Sequence, residues 1–170
     1  GAEKALTKLE EIRKEGDSAG GCISCLITGV PAGFGEPVFD KLDARLAAAM
    51  LSIGACKGIE FGDGFASAEK KGSEKNNIFG FPPDADSPNS SDGILGGIST
   101  GQNIYFTAAF KPTPSFGKPQ KVMDRQGSTK EIAIKGRHDV CIVPRAVPVA
   151  EAMAALTLAD FLLLSRSAKV

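Results

Sequence analysis

The sequence predicts an α+β fold, with helices packed on antiparallel β-sheet. Apolar residues recur at helical spacing near both ends and in one internal stretch. Between them lie β-branched and aromatic runs bounded by Gly and Pro. The resulting order, α-β-α-β…β-α with hairpin-like strands, favours helices lying on an antiparallel sheet.

Ala5, Leu6, Leu9 and Ile12 set the first helical stripe, and Gly16 supplies its stop. Residues 21–29 read as a strand closed by Val30-Pro31-Ala32-Gly33. Phe39, Leu42, Leu46, Met50 and Ile53 form a second stripe, on a helix expected over 38–53. Residues 56–70 read as short strands broken by Gly58, Gly62 and Gly64. Lys, Asn, Ser, Pro and Asp then dominate 70–92, which is expected to be a long, mobile surface loop. The glycine cluster 93–101 leads into a strand at 103–110, and further strands are expected near 118–124 and 129–136. A final helix is expected over 148–165, with Pro148 in its first turn and Glu151 near its positive end. Its Ala152-Met153-Ala154-Ala155-Leu156 run is apolar on most faces, so deep burial is expected.

At 170 residues the chain suits a single domain over 1–170, or half of a larger one. Twenty basic residues balance twenty acidic ones, which argues against nucleic acid or an anionic membrane as partner. No apolar run reads as membrane-spanning and no signal peptide opens the chain, so a soluble protein is expected, cytosolic or plastid-like. The start at Gly1 suggests a processed product or an excised piece. Of four cysteines, Cys22 and Cys25 have C-x-x-C spacing, but on a strand an offset of three sends them to opposite faces. With one histidine and no second C-x-x-C, buried reduced thiols are expected rather than a metal site.

Four stretches have the chemistry of a site, each with a plainer reading beside it. Gly16-Asp17-Ser18-Ala19-Gly20-Gly21 superficially resembles the Gly-Asp-Ser-Gly-Gly of trypsin-like proteases, but Ala19 interrupts it and His138 lies far downstream; a turn or helix cap suits it better. The cluster 93–101 lets a phosphate or flat ring approach the main chain, or simply turns it. Lys111-Pro112-Thr113-Pro114-Ser115 offers a stiff backbone, a cation and two hydroxyls to an anion, or is a rigid solvated loop. Arg137-His138-Asp139, on a strand, places Arg137 and Asp139 on one face for anion binding and proton handling; the plainer reading is a surface ion pair beside a satisfied histidine.

These stretches occur with Gly35-Glu36-Pro37-Val38-Phe39-Asp40-Lys41-Leu42, Ser52-Ile53-Gly54-Ala55-Cys56-Lys57-Gly58-Ile59-Glu60, and Val143-Pro144-Arg145-Ala146-Val147-Pro148 before Glu151-Ala152-Met153-Ala154. In this order, over nearly the whole chain, they resemble the C-terminal half of the chorismate synthase family. The resemblance implies half of a β-α-β sandwich of helices between sheets. It implies a cytoplasmic homotetramer, plastid-located in a plant or alga, and a carbon–oxygen lyase acting on phosphates. The reaction is the 1,4-elimination of phosphate from 5-enolpyruvylshikimate 3-phosphate, giving chorismate for aromatic amino acid biosynthesis. Reduced FMN is required, and NADP is associated with the family.

By the same resemblance, Gly54 and Ala55 are backbone contacts to the flavin and Gly96 lies against it. Lys111, Pro112, Thr113, Pro114 and Ser115 wrap the flavin and its phosphate, Arg137 meets flavin and substrate anions, and Asp139 helps relay the proton. No metal is implied. Val140 stands where the family usually has proline, and Asn89-Ser90-Ser91-Asp92 differs from the usual approach to Gly93. The family's N-terminal half, with two catalytic histidines and an Arg/Ser-rich loop, has no counterpart, and His138 belongs to a different motif. The chain alone is therefore expected to be inactive. The competing expectation is a non-catalytic assembly or phospho-ligand-binding domain that keeps the scaffold.

Overall fold

The computed structural model describes residues 2–75, 92–134, 136 and 138–168. Helix α1 (Ala2–Lys14) leads into strand β1 (Gly21–Ile27), helix α2 (Leu42–Leu51) and strand β2 (Cys56–Phe61). A 3₁₀ helix at Gly64–Glu69 and the single turn α3 (Gly72–Lys75) follow. Then come the short strands β3 (Ile94–Leu95) and β4 (Ile98–Ser99), strand β5 (Ile104–Phe110), the hairpin β6 (Gln120–Met123) and β7 (Thr129–Ile132), and helix α4 (Val143–Ser167). Most of the loop expected over 70–92 falls on residues 76–91, outside the described residues.

A three-stranded sheet in the order β1-β5-β2, antiparallel throughout, organises the described structure. Alternation along β5 points Ile104, Phe106, Ala108 and Phe110 to one face, where all four are buried. Ile23, Cys25 and Ile27 of β1 stand opposite Ala108, Phe106 and Ile104 and extend that face. Leu42, Leu46 and Met50, one stripe of α2, are fully buried on it. Ala146, Ala150, Ala154 and Phe161 of α4 complete the core; the three alanines at four-residue spacing let the helix backbone come close. The outer sheet face is partly polar: Tyr105 donates to Ser24 at 3.2 Å and Thr107 to Tyr105 at 3.5 Å.

The α+β class stands, and several boundaries move for identifiable reasons. Helix α1 ends where Gly16 directed, because at φ 69° it closes two capping bonds, Gly16 N–H to Arg13 and Asp17 N–H to Ile12. Helix α2 begins at Leu42 rather than 38. Residues 36–40 form a tight turn instead, and the Leu42 N–H donates to the carbonyl of Gly97 at 2.8 Å, a cap drawn from the β3–β4 turn. Strand β2 runs through Gly58 with a register shift, and 64–69 is 3₁₀ helix rather than strand. Gly96 and Gly97, at φ 61° and 90°, make a two-residue hairpin turn.

Helix α4 departs most from expectation. It starts at Val143, with Pro144 in the first turn, so Pro148 and Glu151 lie inside it. Only Ala154 of the 152–156 run is buried, while Leu156 is 65% exposed. The helix is also long and apolar enough to cross a membrane by length and composition, contrary to the sequence reading. The thiols are free, and Cys22 and Cys25 do face opposite ways. Only Cys56 is buried, however; Cys22 is exposed because its alternation puts it on the outer sheet face. Burial, then the nearby Glu151 carboxylate, pushes the half-buried Cys25 thiol pKa up. Among the described residues no group of three or more His, Cys, Asp or Glu could hold a metal.

Candidate functional site

Strand β5 delivers the chain to Lys111 at the same sheet end where α2 gives way to β2. There Ala55, at φ 70°, turns its carbonyl toward the incoming strand and accepts the Lys111 N–H at 2.9 Å. Gly54 sits beside it. The Lys111–Ser115 loop then folds over the turn that joins α1 to β1. Ser18 Oγ donates to the Thr113 carbonyl at 2.7 Å, and the Gly117 N–H donates to Gly16 at 2.9 Å. Lys118 Nζ reaches Asp17 at 2.6 Å and Glu15 at 3.7 Å. The Lys118 ammonium, with the Ser18 N–H behind it, holds the Asp17 carboxyl below the usual carboxylate range, and Asp17 raises Lys118 in return.

The loop also holds Asp139. Thr113 Oγ1 donates to the Asp139 carbonyl at 3.1 Å, and the Ala19 N–H donates to Val140 at 2.7 Å. Val140, standing where proline was expected, thus serves by its carbonyl, which proline also has. Arg145, in the first turn of α4, pairs with the Asp139 carboxylate at 2.7 Å. The predicted strand through 136 stops at Ile132, and Gly136 takes φ 145°. Asp139 is therefore not on a strand face, and its described partner is Arg145 rather than Arg137. Arg137 lies outside the described residues. His138 Nε2 meets the Ile134 carbonyl at 3.3 Å; a carbonyl only accepts, so this contact makes it a donor.

Gly54, Ala55, Lys111 to Ser115 and Asp139 thus meet at one end of the sheet. Gly96 does not join them. It lies by the start of α2, and ten helical residues separate the two ends by about 15 Å. A side chain added at Gly96 would meet nothing within 4 Å, so the turn is open on that side. Sequence reasoning missed Ser18, Asp17, Lys118 and Arg145. The Gly-Asp-Ser stretch was the available signal for the first two; it reads as a turn or helix cap and as part of the resemblance, with no role in the site.

A flavin phosphate fits what the loop leaves uncommitted. Lys111 is exposed and Ser115 half-buried, and neither side chain has a hydrogen-bond or ion-pair partner among the described residues. A free ammonium and hydroxyl on a proline-stiffened loop suit an anion.

A chorismate synthase family model matches residues 1–163. The chain is 56% identical over 174 residues to the chorismate synthase of Lachnoclostridium phytofermentans, covering 99% of this chain and 47% of that protein. It is 52% identical to that of Maridesulfovibrio salexigens, covering 94% and 45%, and 56% identical to that of Methanosarcina barkeri, covering 96% and 46%. A solved structure described as a crystal structure of chorismate synthase matches at TM-score 0.74 and 31% identity, over 96% of this chain and 43% of that one. The chain thus spans somewhat under half the length of these relatives. With the family model covering nearly all of it, the chain belongs to the chorismate synthase family.

Proposed function

We propose that this chain is the C-terminal portion of a chorismate synthase, folding as one domain over 1–170. Its parent eliminates phosphate from 5-enolpyruvylshikimate 3-phosphate: a C–H and the C–O(phosphate) bond break in a 1,4 sense, a diene forms, and no net oxidation occurs. The observation that carries the reading is the convergence of Ala55, Lys111–Ser115 and Asp139 at one sheet end. In it, the Gly54–Ala55 backbone and the Lys111–Ser115 loop seat the FMN, and Lys111 and Ser115 meet its phosphate. Reduced FMN, when bound, supplies an electron transiently and assists proton removal. Asp139, fixed by Arg145 and Thr113, handles that proton, and Arg137 binds the anions of flavin and substrate. Gly96 acts at a separate flavin-facing surface. The assembled parent is a cytoplasmic homotetramer.

On this reading the remaining half of the parent docks on the outer side of the helix layer. Val149, Ala152, Leu156, Ala159 and Leu163 line the side of α4 turned away from its buried stripe, and all five are exposed. Ala44, Ala48 and Leu51 expose a similar line on α2. A helix layer apolar on both sides is what the middle of a sheet–helix–sheet sandwich requires.

The test compares this chain alone with a full-length chimera in which it replaces the matching part of the M. barkeri protein. Given reduced FMN and substrate without oxygen, the chimera should form chorismate and the chain alone should not. Turnover by the chain alone would overturn the half-enzyme reading. A folded chimera that binds a phosphate ligand but never turns over would favour the non-catalytic domain.

A further inference from the structure

The Gly16–Gly21 turn has no part in the chemistry proposed above, yet it bonds to both the 111–118 loop and the segment that carries Asp139. Three pieces of chain close a hydrogen-bonded ring there. Ser18 Oγ donates to the Thr113 carbonyl at 2.7 Å, Thr113 Oγ1 donates to the Asp139 carbonyl at 3.1 Å, and Val140 accepts from the Ala19 N–H at 2.7 Å. The two remaining sides of the ring are the peptide links 18–19 and 139–140. Outside it, Gly117 is bonded to Gly16, and Lys118 is paired with Asp17 and Glu15. The 111–118 loop is thus pinned at Lys111 by Ala55, at Thr113 by Ser18, and at its far end by the Gly16–Asp17 corner. Ser18 is no nucleophile here, since its proton is committed to a carbonyl and the described ring contact of His138 is to Ile134.

We infer that Ser18 is a positioning residue of the site: through Thr113 it sets the loop that presents Lys111 and Ser115, and the segment that presents Asp139, relative to one another. This rests on the proposed function for what the loop and Asp139 meet, and on the ring alone for how they are held. An anion-binding loop gains affinity when it is ordered before the ligand arrives. Opening the ring at Ser18 leaves the half-buried Thr113 carbonyl without its donor and frees both segments together. The loss of one such bond corresponds to about a three- to tenfold change in an equilibrium constant.

In the full-length chimera, Ser18→Ala is expected to weaken FMN binding about three- to tenfold. It should raise the substrate KM more than it lowers kcat, and speed amide hydrogen exchange in 111–118 and 138–140 together, measured without flavin. Ser18→Thr, which keeps the hydroxyl, should restore most of all three. Unchanged exchange with unchanged FMN affinity would refute the inference. Faster exchange with unchanged affinity and KM would reduce Ser18 to a structural role and refute it equally. If Ser18→Ala does not fold, Ser18→Cys, which keeps the size but donates only weakly, must shift the same readouts in the same direction. Failure of the proposed function shows differently: the unmutated chimera would bind no FMN, whatever its exchange pattern.

Discussion

Truncating Leu156 to Ala separates a helix layer awaiting a cover from one that is merely exposed. In this chain Leu156 is 65% exposed, whereas Leu46, on the opposite side of the layer, is fully buried. Full burial of a leucine side chain contributes about 1.5–3 kcal/mol. Roughly two-thirds of that, about 1–2 kcal/mol, is still unrealised at Leu156 and becomes available only when another surface covers it. Leu156→Ala should therefore change the urea stability of the chain alone by less than about 0.5 kcal/mol, as surface substitutions do. In the chimera it should cost about 2–4 kcal/mol, lost burial plus residual cavity. Leu46→Ala should cost about 2–5 kcal/mol in both backgrounds. If the chain alone unfolds without cooperativity, the weight falls on docking. The remaining half, supplied as a separate polypeptide, should bind the Leu156→Ala chain about 10- to 400-fold more weakly than the unmutated one, the roughly 1.5–3.5 kcal/mol by which the chimera's cost exceeds that of the chain alone. Equal costs for Leu156→Ala in both backgrounds, or unchanged docking, would refute the covered-layer reasoning.

Gly20→Ala tests the close approach of the turn to β5. A Cβ there would collide with the Phe110 carbonyl and crowd Pro112 at 3.0 Å, so urea unfolding should show a loss of about 1–3 kcal/mol. The Asp17–Lys118 pair predicts a pH window. Asp17's pKa is depressed in the folded state, so its contribution is present above the unfolded value, about 4, and is lost as pH falls through the folded one. Lys118's is raised, so its contribution is present below about 10.4 and is lost as pH climbs through the folded value. The stability gap between the unmutated protein and Asp17→Asn should thus be flat from about pH 5 to 10 and close below about pH 4. A gap that persists unchanged at pH 2.5 would show that Asp17 acts otherwise than through this pair.

Where one stretch of sequence dictates its own structure, the reading held. Gly16 ended α1 because the capping bonds run to residues only three and five positions back. Strand β5 was legible because Ile104, Phe106, Ala108 and Phe110 alternate on the strand period. The errors came where a distant group decides. Nothing in residues 38–41 announces that the first N–H of α2 will be taken by Gly97. Two prolines four apart each suited a helix start, and Pro144 took the place given to Pro148. The site followed the same rule. Its stretches were recognisable, but the Ser18–Thr113 bond joins residues 95 positions apart through a main-chain carbonyl, which has no sequence signature. Arg145 was missed because Asp139 was placed on a strand beside Arg137, and the strand ends at Ile132.

The burial expected of α4 and the exposure found are two views of one helix. Its mean hydropathy of 1.8 over an 18-residue window says only that it belongs out of water, not what should surround it. The pattern says more. Val149, Leu156 and Leu163 recur every seven residues with Ala152 and Ala159 between them, the seam of a helix that packs along another element of protein. Lipid demands no such line, and Asp160 near the middle of a bilayer would cost about 2.5–3.5 kcal/mol. Here Asp160 instead reaches Arg45 of α2 at 3.5 Å, which ties the two helices into one layer. One side of that layer lies on the β1-β5-β2 sheet. On the proposed reading, a second sheet-bearing half on the other side would account for both the apolar seam and the small alanines within it, in a chain that spans somewhat under half the length of its relatives.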